Sequence, residues 1–69
     1  MEKVLHVDGM MCEHCEARVK KALESVDGVV SAKADRNAKT AVVELSKDVD
    51  NAALKKAVED QDYQVTGIE

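Results

Sequence analysis

The chain has two cysteines, Cys12 and Cys15, within the segment Gly9-Met10-Met11-Cys12-Glu13-His14-Cys15. Two thiolates at this spacing can approach one small cation from opposite sides. Soft sulfur donors select Cu(I), Zn(II) and similar ions. A site with only two sulfurs favours an ion that tolerates low coordination, as Cu(I) does, whereas zinc takes four ligands in a tetrahedron. No second Cys-x-x-Cys and no His-x-x-x-His is present to complete such a set. A structural disulfide is a poor alternative, because it would close a very small loop and add little stability, and no export signal is seen. Thiol–disulfide exchange is the competing chemistry for this spacing. Against it, no Trp precedes the first cysteine, and the chain has no Pro at all, so the cis-proline of thioredoxin-like folds is missing.

The residues around the pair must hold it in place. Lys3 to Val7 alternates as a strand, with Leu5 and Val7 toward a core and Lys3 and His6 toward solvent. Asp8-Gly9 breaks it. From about Cys12 to Ser25, Cys15, Val19, Ala22, Leu23 and Val26 recur at helical intervals, while Arg18, Lys20, Lys21 and Glu24 occupy other faces. Cys12 then falls in the loop and Cys15 in the opening turn, where free N–H groups and the positive dipole end favour thiolate over thiol. Asp27-Gly28 ends that helix, Gly28 taking the left-handed position after it.

Val29 to Ala34 follows as a strand, with Val30 or Val29, Ala32 and Ala34 near the core. Residues Asp35 to Lys39 form a polar turn. Thr40 to Leu45 is the clearest strand, with Ala41, Val43 and Leu45 on one face. The stretch Asp48-Val49-Asp50-Asn51 offers capping side chains to a second helix, which runs to about Asp60 and buries Leu54, Ala57 and Val58. Tyr63 to Thr66 reads as a last strand. Two strand–helix–strand units, with no residue-level repeat between them, fill residues 1–69 as a single domain. Right-handed crossovers give an α+β fold, a ferredoxin-like βαββαβ sandwich whose four-stranded antiparallel sheet carries two helices on one face.

Composition narrows the function further. The 69 residues include 31 apolar ones, of which 11 are Val and 9 Ala, and Tyr63 is the lone aromatic. A core of this kind is thin and closely packed, in a size class where one core seldom supplies more than roughly 3–5 kcal/mol. There is too little chain to wall in a large active site, so no enzyme is expected. The net charge of −4 and the absence of aromatic platforms set nucleic acid aside. The longest apolar runs, such as Ala41-Val42-Val43, are far too short for membrane insertion, and a cytoplasmic location is expected. Arg18, Lys20 and Lys21 read as a solvated face, with docking against an acidic partner as the lesser reading.

The Gly9-Met10-x-Cys12-x-x-Cys15 segment, in the first loop of this element order and with Tyr63-Gln64-Val65 near the end, resembles the heavy-metal-associated (HMA) domain family. Within that family it is most similar to the small bacterial copper chaperones of the CopZ type. The resemblance covers essentially the whole chain. It implies Cu(I) held by Cys12 and Cys15, and delivery of Cu(I) to a copper-transporting P-type ATPase by thiolate ligand exchange. It implies that Met10 is a core residue beneath the loop. Met11 takes the variable position where zinc-type members tend to have Asp, which favours a soft monovalent ion. His14 fits the copper-chaperone pattern, as a spectator in the monomer or as a hydrogen-bonding group or weak ligand when two copies share one ion in a metal-bridged homodimer. Tyr63 matches the tyrosine that lies beside the loop, shielding the thiolates and able to donate toward a sulfur. Asp62 replaces the glycine usual before that tyrosine; Asp tolerates left-handed geometry better than most residues. The same family also allows a regulatory domain of a metal ATPase or a mercury or zinc carrier.

Overall fold

The computed structural model describes residues 1–69. Its elements are β1 (Glu2–Asp8), α1 (Glu13–Glu24), β2 (Val29–Asp35), β3 (Thr40–Leu45), α2 (Asn51–Glu59) and β4 (Gln64–Ile68). The sheet order is β2-β3-β1-β4, and every neighbouring pair is antiparallel. The first strand–helix–strand unit is therefore split by β3. The helices lie side by side on one face, α1 over β2 and β3 and α2 against β4. This is the ferredoxin-like βαββαβ sandwich expected from the sequence.

The alternation in β1 and β3 explains the layer between sheet and helices. Leu5, Val7, Ala41, Val43 and Leu45 point inward and meet Val19 and Leu23 of α1 and Leu54 and Val58 of α2. No polar side chain is buried. Each fully buried Leu or Val contributes about 1.5–3 kcal/mol of transfer free energy, so a few large contacts carry a domain whose other core positions are alanines. Val49, in the segment before α2, completes the core.

Two bulges adjust the strands to this face. Val29 pairs with Leu45 and Ser31 with Glu44, which leaves Val30 as an extra residue. Val29 thus packs on the core together with Ala32 and Ala34, and Val30 is turned out, 61% exposed. In β4, His6 pairs with Gly67 and Val7 with Val65, so Thr66 is the extra residue. Val65 and Ile68 then reach the core from the same strand.

Several details differ from the sequence reading. Lys3 is not on the solvent side: it shares the face of Leu5, and its ammonium donates to Val49 O at 3.0 Å and Asn51 Oδ1 at 2.6 Å. His6 is not simply solvated, because Nε2 lies 2.8 Å from Glu69 Oε1. Helix α1 stops at Ser25, whose hydroxyl donates to Ala22 O at 2.6 Å; Gly28 is left-handed as expected, but in the turn beyond. Asp50 is the N-cap of α2 without a side-chain capping bond. Ala57 is only half-buried. The last strand begins at Gln64, which leaves Tyr63 in the preceding turn.

Candidate metal centre

β1 delivers the chain to the top of the sheet, and the loop 9–12 carries it over to α1. Gly9 makes this turn with φ +103°, a conformation that L side chains rarely adopt. Its N–H donates to Asp8 Oδ1 at 3.1 Å. A β-carbon added at Gly9 would stand 3.4 Å from Tyr63 Cδ1, so the tyrosine ring lies directly on the loop backbone. Met10 is half-buried and packs on the core beneath the loop. Met11 is 86% exposed.

Cys12 is the N-cap of α1, with extended backbone angles. Its carbonyl accepts from the N–H of Cys15 at 3.0 Å and of Glu16 at 3.2 Å, which closes the first helical turn around the cysteine pair. Both thiols are free; Cys12 is exposed and Cys15 half-buried. Cys12 Sγ donates to Cys15 Sγ across 3.8 Å. One sulfur is therefore fixed against the core and the other stands in solvent.

The surroundings of Cys15 also act on its ionisation. The Cys15 thiol is lowered from 9.0 to about 7. Proximity of the Tyr63 hydroxyl is the largest cause, although the two groups form no hydrogen bond of full geometry. The backbone at Met11 and Cys12 follows, working against partial desolvation, and the Cys12 thiol adds a smaller lowering. Near neutral pH Cys15 is thus about half thiolate, the nucleophilic form of a cysteine. In return the Tyr63 hydroxyl is raised, first by Cys15 and then by burial, while the Arg18 guanidinium opposes the shift.

The six residues singled out in the sequence separate by position. Cys12, Cys15 and Tyr63 come together, with Met10 below them. His14 is exposed and makes no hydrogen bond to either sulfur. Met11 projects from the outer side of the loop. Asp62 takes φ +70° in the turn that brings Tyr63 to Gly9, so the left-handed geometry survives without glycine. No group of three or more His, Cys, Asp and Glu side chains is close enough to hold an ion. The sequence reading missed two neighbours, Arg18 beside Tyr63 and Glu16 behind Cys15. The first-turn position of Glu16 was visible, but its partner lies on a distant hairpin.

A Cys-x-x-Cys loop crowning a ferredoxin-like sheet defines a class of small thiol-bearing metal-site domains. Comparison with known proteins places the chain within it. The heavy-metal-associated domain matches residues 4–64. A copper chaperone CopZ of Staphylococcus aureus is 40% identical over 67 residues, covering 93% of this chain and 96% of its own. A solved CopZ metallochaperone superposes with a TM-score of 0.90 at 36% identity, covering 96% of this chain and 100% of that one. The N-terminal domain of a potential copper-translocating P-type ATPase from Bacillus subtilis, solved in its Cu(I)-loaded state, gives 0.82 at 28% identity. That match covers 99% of this chain and 89% of the other. The chain belongs to the heavy-metal-associated domain family. No helix in it is long and apolar enough to cross a membrane.

Proposed function

We propose that this chain is a cytoplasmic metallochaperone that carries Cu(I) on Cys12 and Cys15. It hands the ion by thiolate exchange to a metal-binding domain of a copper-transporting P-type ATPase. The observation that carries the reading is the thiol pair itself: two free sulfurs 3.8 Å apart where the exposed loop enters α1, with no third His, Cys, Asp or Glu grouped with them.

A pair of sulfur donors leaves a soft, low-coordinate ion with a free position, and the exposure of Cys12 puts that position on the solvent side. An incoming thiolate takes that position, and the shared ion leaves with whichever partner holds it more tightly. Exposed Cys12 can release first, while half-buried Cys15 keeps its place against the core. The resemblance to copper chaperones and to a copper ATPase domain supports a role in handling copper.

Anaerobic titration with Cu(I) against a competing chelator tests this. The expected result is one Cu(I) per chain, lost when both cysteines are replaced in Cys12→Ser, Cys15→Ser. Saturation with Cu(I) should raise the melting temperature, since a ligand at a hundredfold its Kd adds about 2.7 kcal/mol to stability. Retention of Cu(I) by the double variant, or preference for Zn(II) in direct competition, would refute the assignment.

A further inference from the structure

Glu16 sits in the first turn of α1, next to Cys15, with its side chain only 23% exposed. It does not face solvent as a first-turn acid usually does. Its Oε2 accepts from the backbone N–H of Arg36 at 2.7 Å, and its Oε1 from Arg36 Nη1 at 3.0 Å. Arg36 lies at the start of the β2–β3 turn, 20 residues away. The turn is itself tied by Asp35 Oδ1, which accepts from the N–H groups of Asn37 and Ala38. Two turns further along α1, on the same face, Glu24 Oε2 accepts from Ala32 N–H at 3.3 Å. The helix is thus fastened to the edge strand at two places, and only one of them adjoins the cysteine loop.

We propose that Glu16 is a positioning residue for the metal site: its two-point grip on Arg36 fixes the first turn of α1, and with it Cys15, relative to Cys12. The mechanism is direct. The Glu16 and Cys15 N–H groups both converge on Cys12 O, so a displacement of Glu16 moves the hydrogen bonds that hold both cysteines. A charge-assisted, two-pronged contact is the stronger and more directional kind, and groups that orient metal ligands without touching metal commonly matter for affinity. Glu24 is too far along the helix to do this and serves only to hold helix to strand. Glu13, the other first-turn acid, makes no hydrogen bond through its side chain.

This inference rests on the copper-carrier reading for one of its two measurements and stands free of it for the other. Glu16→Ala, Glu16→Gln, Glu24→Ala and Glu13→Ala are compared with the parent chain. The first measurement is amide hydrogen exchange of Cys15 and Glu16 in the metal-free protein. The second is Cu(I) affinity by chelator competition. Glu16→Ala is expected to lose protection at these two amides beyond its global loss of stability and to bind Cu(I) about tenfold more weakly. Glu16→Gln, which keeps an oxygen for Arg36 N–H, should recover part of both and provides the reading if the alanine variant does not fold. Glu24→Ala should lower global stability without a selective effect at the two amides or on Cu(I). Glu13→Ala measures the effect of losing a first-turn charge alone, and Glu16→Ala should exceed it in both measurements.

Unchanged local exchange and affinity in both Glu16 variants would overturn the inference. Equal effects from Glu24→Ala would do so too, because the grip would then be general scaffolding. Failure of the parent chain to bind Cu(I) would instead refute the carrier reading and leave the exchange comparison to decide the role of Glu16.

Discussion

Tyr63→Phe removes a single oxygen and keeps the ring that lies on Gly9. That oxygen has the largest influence on Cys15, which stands at about 7 instead of 9.0. At pH 7 a thiol at 7 is half ionised and one at 9 only about 1%, so the whole shift amounts to roughly 50-fold in thiolate. The backbone at Met11 and Cys12 supplies the rest of the lowering. The variant therefore falls between these bounds: its alkylation profile moves up toward 9.0, and its reaction with iodoacetamide at pH 7 slows several-fold. Mass spectrometry of the singly modified peptide separates Cys15 from Cys12. The sign for stability follows from the same shift. A thiol whose proton is held less tightly in the fold than in the unfolded chain stabilises the fold fully above about pH 9. That contribution fades as the pH falls through about 7. The variant has less of it to lose, so the melting-temperature gap between parent and variant should be wider at pH 9 than at pH 6. Tyr63, raised above its usual 10.0, stays protonated across that range. An alkylation profile identical to the parent's would show that the backbone alone sets the thiol, and the role given to the hydroxyl would be wrong.

Two substitutions test the loop geometry. Gly9→Ala forces a side chain into φ +103° and brings its β-carbon to 3.4 Å from the Tyr63 ring; urea unfolding should show a loss of about 1–3 kcal/mol, and a loss below 0.5 kcal/mol, a value within the usual scatter for surface positions, would contradict the strain. Asp62→Gly should act the other way. Relief of the left-handed penalty, about 1–2 kcal/mol for an ordinary residue and less for Asp, outweighs the roughly 0.5–1 kcal/mol entropy cost of glycine only slightly. A rise of about 2–4 °C in melting temperature is expected, and a fall would show that the Asp62 side chain stabilises the turn.

The order of elements was legible because β1, β3 and the two helices keep strict periods over their lengths. The sequence signal weakened wherever one inserted residue changed the phase. At Val29-Val30 both side chains are apolar, so alternation alone could not say which faced inward; the bulge decided for Val29. At the end of the chain, Thr66 shifts the phase of β4, and the strand runs later than its composition suggested. The charge of Lys3 suggests an outward side chain although its position matches Leu5; its long stem lets the ammonium reach Val49 and Asn51. For the candidate site, the placement of Cys12 at the loop and Cys15 in the first turn followed from the change of period after Gly9. The approach of Tyr63 was expected from resemblance alone, because nothing in the local sequence shows that a left-handed Asp62 turns it back onto Gly9. The grip of Glu16 on Arg36 was hidden for a similar reason: it joins two residues whose individual contexts, a helix start and a polar turn, both read as solvent.

Two of the three glutamates of α1, Glu16 and Glu24, also give the sheet a direction in which it can grow. A sheet with free edges can recruit another extended chain, because its outward N–H and C=O groups form a template. On the β2 side, the outward N–H groups of Ala32 and Arg36 are already occupied by Glu24 and Glu16. An intruding strand must displace two carboxylates to pair there and would meet their charge as it arrived. The β4 side, five residues long and interrupted by the bulge at Thr66, has no such cover and relies on brevity and irregularity. The margin of the sheet beside the helix that carries Cys15 is therefore the covered one, and the β4 margin is the bare one.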